Sequence, residues 1–192
     1  MGENKAMGRA IGIRVHKKEG EQRLDASKFF GAPTIPLSWE NDFYEDEIFF
    51  CQIRLEDIKE YDTENKLPHK GYLYIFLDTE EGDYSLRARV RYYDGEPELA
   101  LLSFNETVEG YEYLNEEWQM EFYDAEEDAP STRLFGVPSD WNYEDSPPEL
   151  LLQFDPLDTS MGFLEFLDGF VYFFFGDDKR DFENVFITEE YS

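Results

Sequence analysis

The chain has 192 residues, with 45 Asp or Glu against 17 Lys or Arg and a net charge of −28. A field of that sign repels nucleic-acid phosphates and anionic membranes and leaves a basic protein as the natural partner, although negative charge also simply keeps an aromatic-rich chain in solution. Aromatic residues, 18 Phe and 13 Tyr among them, speak against disorder and for a packed, strand-rich interior within one domain.

Residues 1–20, MGENKAMGRAIGIRVHKKEG, lack the apolar core of a signal peptide, and Ala6 stands where a myristoylation signal needs Ser or Thr. A cytoplasmic protein without a membrane segment is expected. Ile11, Ile13 and Val15 alternate with Gly12, Arg14 and His16, the period of a strand. Residues 1–28 hold seven Lys or Arg against four acids, so this strand is suited to an acidic neighbour. In SKFFGAPTIPLSWEND, Gly31, Pro33 and Pro36 exclude a helix and a central strand and predict an ordered loop.

A strand follows in IFFCQI, residues 48–53, where Cys51 reads as a small buried hydrophobe, and one cysteine builds no disulfide framework. LEDIKEYD, residues 55–62, predicts one short amphipathic helix ended by a polar turn. GYLYIFLD, residues 71–78, predicts a buried strand. In YSLRARVRYYD, Leu86, Ala88, Val90 and Tyr92 point to one side and Arg87, Arg89, Arg91 and Tyr93 to the other. Residues 92–132 hold thirteen acids and no base. They carry a further strand pattern in EWQMEFYD, with Trp118, Met120 and Phe122 on one face, and then an acidic loop at 124–132.

The run FGAP at residues 30–33 returns as FGVP at 135–138, and the segments after the two copies also match: IFFCQI with ELLLQF, GYLYIFLD with GFVYFFFGD. Gly31 lies 21 residues before Gln52 and Gly136 lies 17 before Gln153; from these glutamines to Gly71 and Gly169 is 19 and 16 residues. Order and spacing together describe a degenerate tandem duplication. The expected organisation is a single domain over 1–192 with half-repeats at 29–94 and 134–192 and an acidic β insertion at 95–133. Residues 159–168, TSMGFLEFLD, have room for one or two helical turns. The expected fold class is α+β, rich in β, with mixed or antiparallel sheets and a few short helices.

The ordered set SKFFGAPTIP with Trp39, CQIRL, LPHKGYLYIFLD, RVRYYD, RLFGVP, LLLQFDP and GFVYFFFGDDKRDF resembles the YwqG-like family, bacterial proteins of unknown function. The resemblance spans about residues 27–186. It departs in reading FFGAP where the family usually has a double glycine, and SDWNYED comes after the second loop. It implies a duplicated, β-rich α+β fold and, from gene neighbourhoods, a role of the toxin-immunity type. It brings no catalytic residues.

Three groups of residues are candidate sites. Arg87, Arg89 and Arg91 present three guanidinium groups on one strand face, suited to clamping a carboxylate or phosphate or to pairing with acids of a neighbouring strand. Gln52 and Gln153 stand at equivalent places among apolar residues, suited to pinning the FGAP and FGVP loops or to lining a pocket between the repeats. Trp39, Tyr44, Trp141 and Tyr143 each come after a repeat-opening loop among Glu40, Asp42, Glu45, Asp140, Glu144 and Asp145. An acidic, aromatic patch of this kind grips a basic protein; the same aromatics also serve as lids over the core.

Other chemistry finds no signature. Asp140, Asn142 and Glu144 begin like a calcium loop, but Asp145 stands where Gly is needed and Leu151 where Glu is needed. His16 and His69 have no second ligand at zinc spacing, and no cofactor, phosphate-loop or nucleophile motif is present. The sequence therefore points to a non-catalytic binding protein, immunity-type in its most concrete form, with a small-ligand protein or hydrolase built on an inter-repeat pocket as the rival reading.

Overall fold

The computed structural model describes residues 9–21, 23–44, 47–79, 86–107, 112–139, 141, 146–157, 169–177 and 179–191. Alternating apolar residues build strands β1 (Ala10–Lys17), β4 (Ile48–Arg54), β5 (Tyr72–Thr79), β6 (Leu86–Tyr93), β8 (Trp118–Ala125), β10 (Leu150–Phe154), β11 (Gly169–Phe175) and β12 (Val185–Tyr191). Between them lie the two-residue strands β2 (Lys28–Phe29), β3 (Thr34–Ile35), β7 (Leu99–Ala100) and β9 (Arg133–Leu134).

Ten strands form one antiparallel sheet in the order β12-β11-β10-β9-β1-β8-β2-β4-β5-β6, and β3 pairs with β7 in a separate ribbon. The edge strands β12 and β6 pack against each other without a hydrogen-bonded ladder among the described residues, so the sheet curls into a nearly closed barrel with one seam. Its interior takes every second residue: Ile11, Ile13 and Val15 from β1, Leu73, Ile75 and Leu77 from β5, Val171, Phe173 and Phe175 from β11. Phe154 lies 5.0 Å from both Phe29 and Phe50, joining the two halves.

The α+β expectation is corrected: the protein is nearly all β. Among the described residues the helical content is four single 3-10 turns, at Leu37–Trp39, Phe104–Thr107, Glu112–Asn115 and Phe182–Asn184. The segment 55–62 keeps Leu55 and Ile58 buried but forms turns, with Asp57, Lys59 and Tyr61 N–H donating three residues back. Eight residues are too few to sustain a helix against their ends. Those ends are claimed elsewhere, by the Leu55 N–H to Gly71 carbonyl bond and by the Asp62 carboxylate, which accepts from the Lys66 and Leu67 N–H groups. Residues 159–168 lie outside the described residues.

Four strands of the halves correspond in order and pairing: β2, β4, β5 and β6 with β9, β10, β11 and β12. Lys28, Phe29, Phe30 and Gly31 match Arg133, Leu134, Phe135 and Gly136, and both Phe-Gly pairs have positive φ, 54° and 73° against 62° and 87°. The left-handed turn aims the next, Pro-containing loop back over the outer face of its own half, a path that suits glycine and costs phenylalanine strain. Each half then has a register shift at the same place, between Phe49 and Cys51 and between Leu150 and Leu152. The leading strands are exchanged: β1, ahead of the first half, pairs with β9 of the second, while β8 pairs with β2 of the first. They meet each other along the full length of β1, with Arg14 opposite Glu121.

Candidate functional site

Cross-strand register places one polar row on the outer face of each half. In the first, Lys28 lies opposite Gln52, Gln52 opposite Tyr74, and Tyr74 opposite Arg91. In the second the row reads Arg133, Gln153, Tyr172, Thr188. Gln52 Oε1 accepts from the Thr34 N–H at 2.9 Å, and its Nε2 donates to the Ala26 carbonyl and the Thr34 hydroxyl. Gln153 repeats the pattern with the Ser139 N–H, the Ser131 carbonyl and the Ser139 hydroxyl. Both amides are fully buried and committed to holding the loops.

The arginine row sits on the aromatic face over which the first loop returns. Arg89 is clamped by Glu47, Nε to Oε1 and Nη2 to Oε2, each 2.6 Å. Glu47 has no exposed side-chain surface, and burial raises its carboxyl above the usual range despite Arg89. Arg91 donates from Nη2 to Asp42 Oδ2 at 2.8 Å and lies with its guanidinium carbon 3.6 Å from the Trp39 ring centroid. Burial, and next the like charge of Arg89, lower its pKa. Arg87 faces Asp78 across β5 and β6. The Asp42 N–H donates to the Trp39 carbonyl, a tight turn that brings carboxylate and indole to the same guanidinium.

Trp39 is half-buried, packing edge-on to Tyr74 and Tyr93, while Tyr44, beneath Arg89, is 61% exposed and Glu40 is exposed on the same turn. Two groups that read as rivals in the sequence, the arginine row and the first aromatic patch, are thus one cluster. Trp141 belongs elsewhere, with Phe174, Tyr172 and Leu150 on the second half. The two tryptophans form no common patch. Tyr143, Glu45, Asp140, Glu144 and Asp145 lie outside the described residues.

A cleft of about 580 Å³ opens beside this cluster at the barrel seam. Trp39, Asp42, Arg89 and Arg91 form one side, and Asp181, Phe182 and Glu183, the turn leading into β12, form the other. This second wall escaped sequence reading. Its one signal is the polar run 177–184, in which Asp181 caps the turn by accepting from the Glu183 N–H. Phe182 anchors the wall against Tyr92, ring centroids 5.9 Å apart. The cleft lies between the halves, but neither Gln52 nor Gln153 lines it.

His16 faces a smaller recess of about 330 Å³ with Arg23, Asp25, Ser27 and Asp57, in which the Ser27 hydroxyl donates to Asp57. His69 sits 3.1 Å from Asp62. The described residues hold no group of three or more His, Cys, Asp or Glu placed to bind a metal, and no helix long and apolar enough to cross a membrane.

What the fold requires occurs twice: the Phe-Gly turn, the buried cation, the glutamine, the tyrosine and the bulge. Arg91 and Arg89 occur once, for Thr188 and Phe186 stand at their places on β12. The cleft beside them is the candidate site. No protein-family model matches the chain, and comparison with curated proteins finds no match.

Proposed function

We propose that this protein is a non-catalytic binding module that takes a basic segment of a protein partner into the seam cleft. The observation that carries the reading is the charge state of the cleft: its two arginines are already matched by Glu47 and Asp42, which leaves the exposed carboxylates of Asp181 and Glu183 on the opposite rim as surplus negative charge. Trp39 and Phe182 supply flat apolar surface between the rims, and the net charge of −28 steers a cationic partner toward the molecule. We further propose membership of the YwqG-like family and, with it, an immunity-type role in neutralising a basic protein. The rival small-ligand reading needs arginines free to hold an anion, and the pairing of Arg89 and Arg91 weighs against it.

The test is titration of an oligo-arginine peptide by calorimetry at low and high salt. Asp181→Asn with Glu183→Gln is expected to weaken binding several-fold more than Glu126→Gln with Asp128→Asn, which removes the same charge from an exposed loop. Equal losses in the two double variants would reduce the binding to bulk charge and refute the cleft.

A further inference from the structure

Resting on that reading, we infer that the Trp39 face is a seat for a partner's guanidinium group, and that Arg91 fills this seat while the protein is free. The seat is complete as it stands: an indole face, a carboxylate at 2.8 Å on the same turn, and an open cleft with two further carboxylates beyond it. A planar cation stacked on a ring and forked to a carboxylate is the arrangement an incoming arginine would adopt.

Two independent observations make Arg91 an exchangeable occupant. Its carboxylate partner is 65% exposed, whereas that of Arg89, two residues away, has no exposed side-chain surface and binds through two short bonds. Arg89 is an anchor; Arg91, though its own side chain is mostly buried, is held by the exposed turn that carries Trp39 and Asp42, through the indole face, the Asp42 carboxylate and the Asp42 carbonyl, and is pressed by the like charge of Arg89. Second, Thr188 stands at the corresponding point of β12, as Phe186 does for Arg89, so Arg91 lies outside the framework that the two halves share, and unlike Arg89 it has no buried carboxylate that depends on it. Self-occupancy lowers the apparent affinity of the seat in proportion to the time it is free, and favours guanidinium over ammonium ligands because the seat is flat.

Calorimetry with oligo-arginine and oligo-lysine peptides of equal length tests this, using the wild type, Arg91→Gln, Arg91→Thr and, as a control for charge, Arg14→Gln on the far side of the sheet. If the seat is free about a tenth of the time, Arg91→Gln and Arg91→Thr bind oligo-arginine about tenfold more tightly, with a smaller gain for oligo-lysine. Arg14→Gln changes either affinity much less, and adding Trp39→Leu to Arg91→Gln abolishes the gain. Unchanged or weaker binding by both Arg91 variants, with wild-type binding still dependent on Asp181 and Glu183, overturns the seat and leaves the cleft reading standing. Loss of the Asp181 and Glu183 dependence overturns both. The threonine variant, which copies the residue the second half carries at this position, guards against a folding artefact.

Discussion

Lys28 on β2 and Arg133 on β9 occupy equivalent registers, each fully buried and directly opposite the glutamine of its own half. Their partners differ. Lys28 Nζ donates to Glu117 Oε2 at 2.9 Å, whereas Arg133 donates to the carbonyls of Ala129, Phe135 and Val137 and to the Gln153 amide oxygen. Desolvation pushes the Arg133 guanidinium down to about 10. One position thus holds a buried cation by two different means. Removing Lys28 alone, as Lys28→Met, leaves Glu117 buried without its ammonium and is expected to cost about 3–5 kcal/mol. Lys28→Met with Glu117→Leu is expected to recover most of that loss in urea denaturation.

The same lysine predicts a pH signature. Burial lowers the Lys28 ammonium below its ordinary 10.5, so the folded protein releases this proton before the unfolded chain does. Between the two values the unfolded chain binds more protons, and the contribution of Lys28 to stability rises with pH. Tyr72 and Tyr74 act in the opposite sense: burial raises their phenols well above 10, the unfolded chain ionises first, and stability is lost as pH passes 10. Urea midpoints followed from neutral pH into the alkaline range are expected to fall earlier and more steeply in Lys28→Met than in the wild type.

The glutamines differ in what they leave behind. Gln52→Leu strands the Thr34 N–H, an expected cost of about 1–3 kcal/mol. Gln153→Leu strands the Ser139 N–H and also takes an acceptor from Arg133, so its midpoint is expected to fall further. Equal losses would mean that Arg133 finds a replacement acceptor.

Arg89 and Arg91 are expected to separate in stability. Arg89→Ala leaves the Glu47 carboxylate buried without its cation and should approach the lower end of the about 3–5 kcal/mol typical of a broken buried pair, with the loss shrinking as acid protonates Glu47. Arg91→Gln should cost less, about 0.5–2 kcal/mol, for the loss of the Trp39 stack and of an ion pair with a mostly exposed carboxylate. Thermal melts of the two variants at neutral and mildly acidic pH check both statements.

Much of the barrel was legible because a strand buried on one face writes itself as alternation, as in Ile11, Ile13 and Val15 or Ala88, Val90 and Tyr92. The segment 55–62 misled because Leu55 and Ile58 share a helical spacing, while the bonds that capture its ends come from Gly71 and Asp62, which spacing does not reveal. Arg91, Trp39 and Asp42 were each visible, but their union depends on a loop folding back over β5. The opposite wall was invisible: Asp181 and Glu183 reach the cleft only because β12 curls round to β6, a closure that depends on the whole sheet. Lys28 and Arg133 were likewise lost among polar residues, since nothing local marks a cation that will be buried.

The exchange of β1 and β8 between the halves ties the two into one sheet that cannot be divided between them. Severed in the region between β7 and β8, the chain would yield two fragments, each carrying the leading strand that completes the other's sheet. Such pieces would be expected to reassemble with one another rather than fold apart, which offers the cut as a place to build a split reporter. Carried out by two identical half-length chains, the same exchange is an interlocked homodimer, and fusing them frees each side of the seam to diverge. Thr188, standing where the first half has Arg91, is what that freedom looks like.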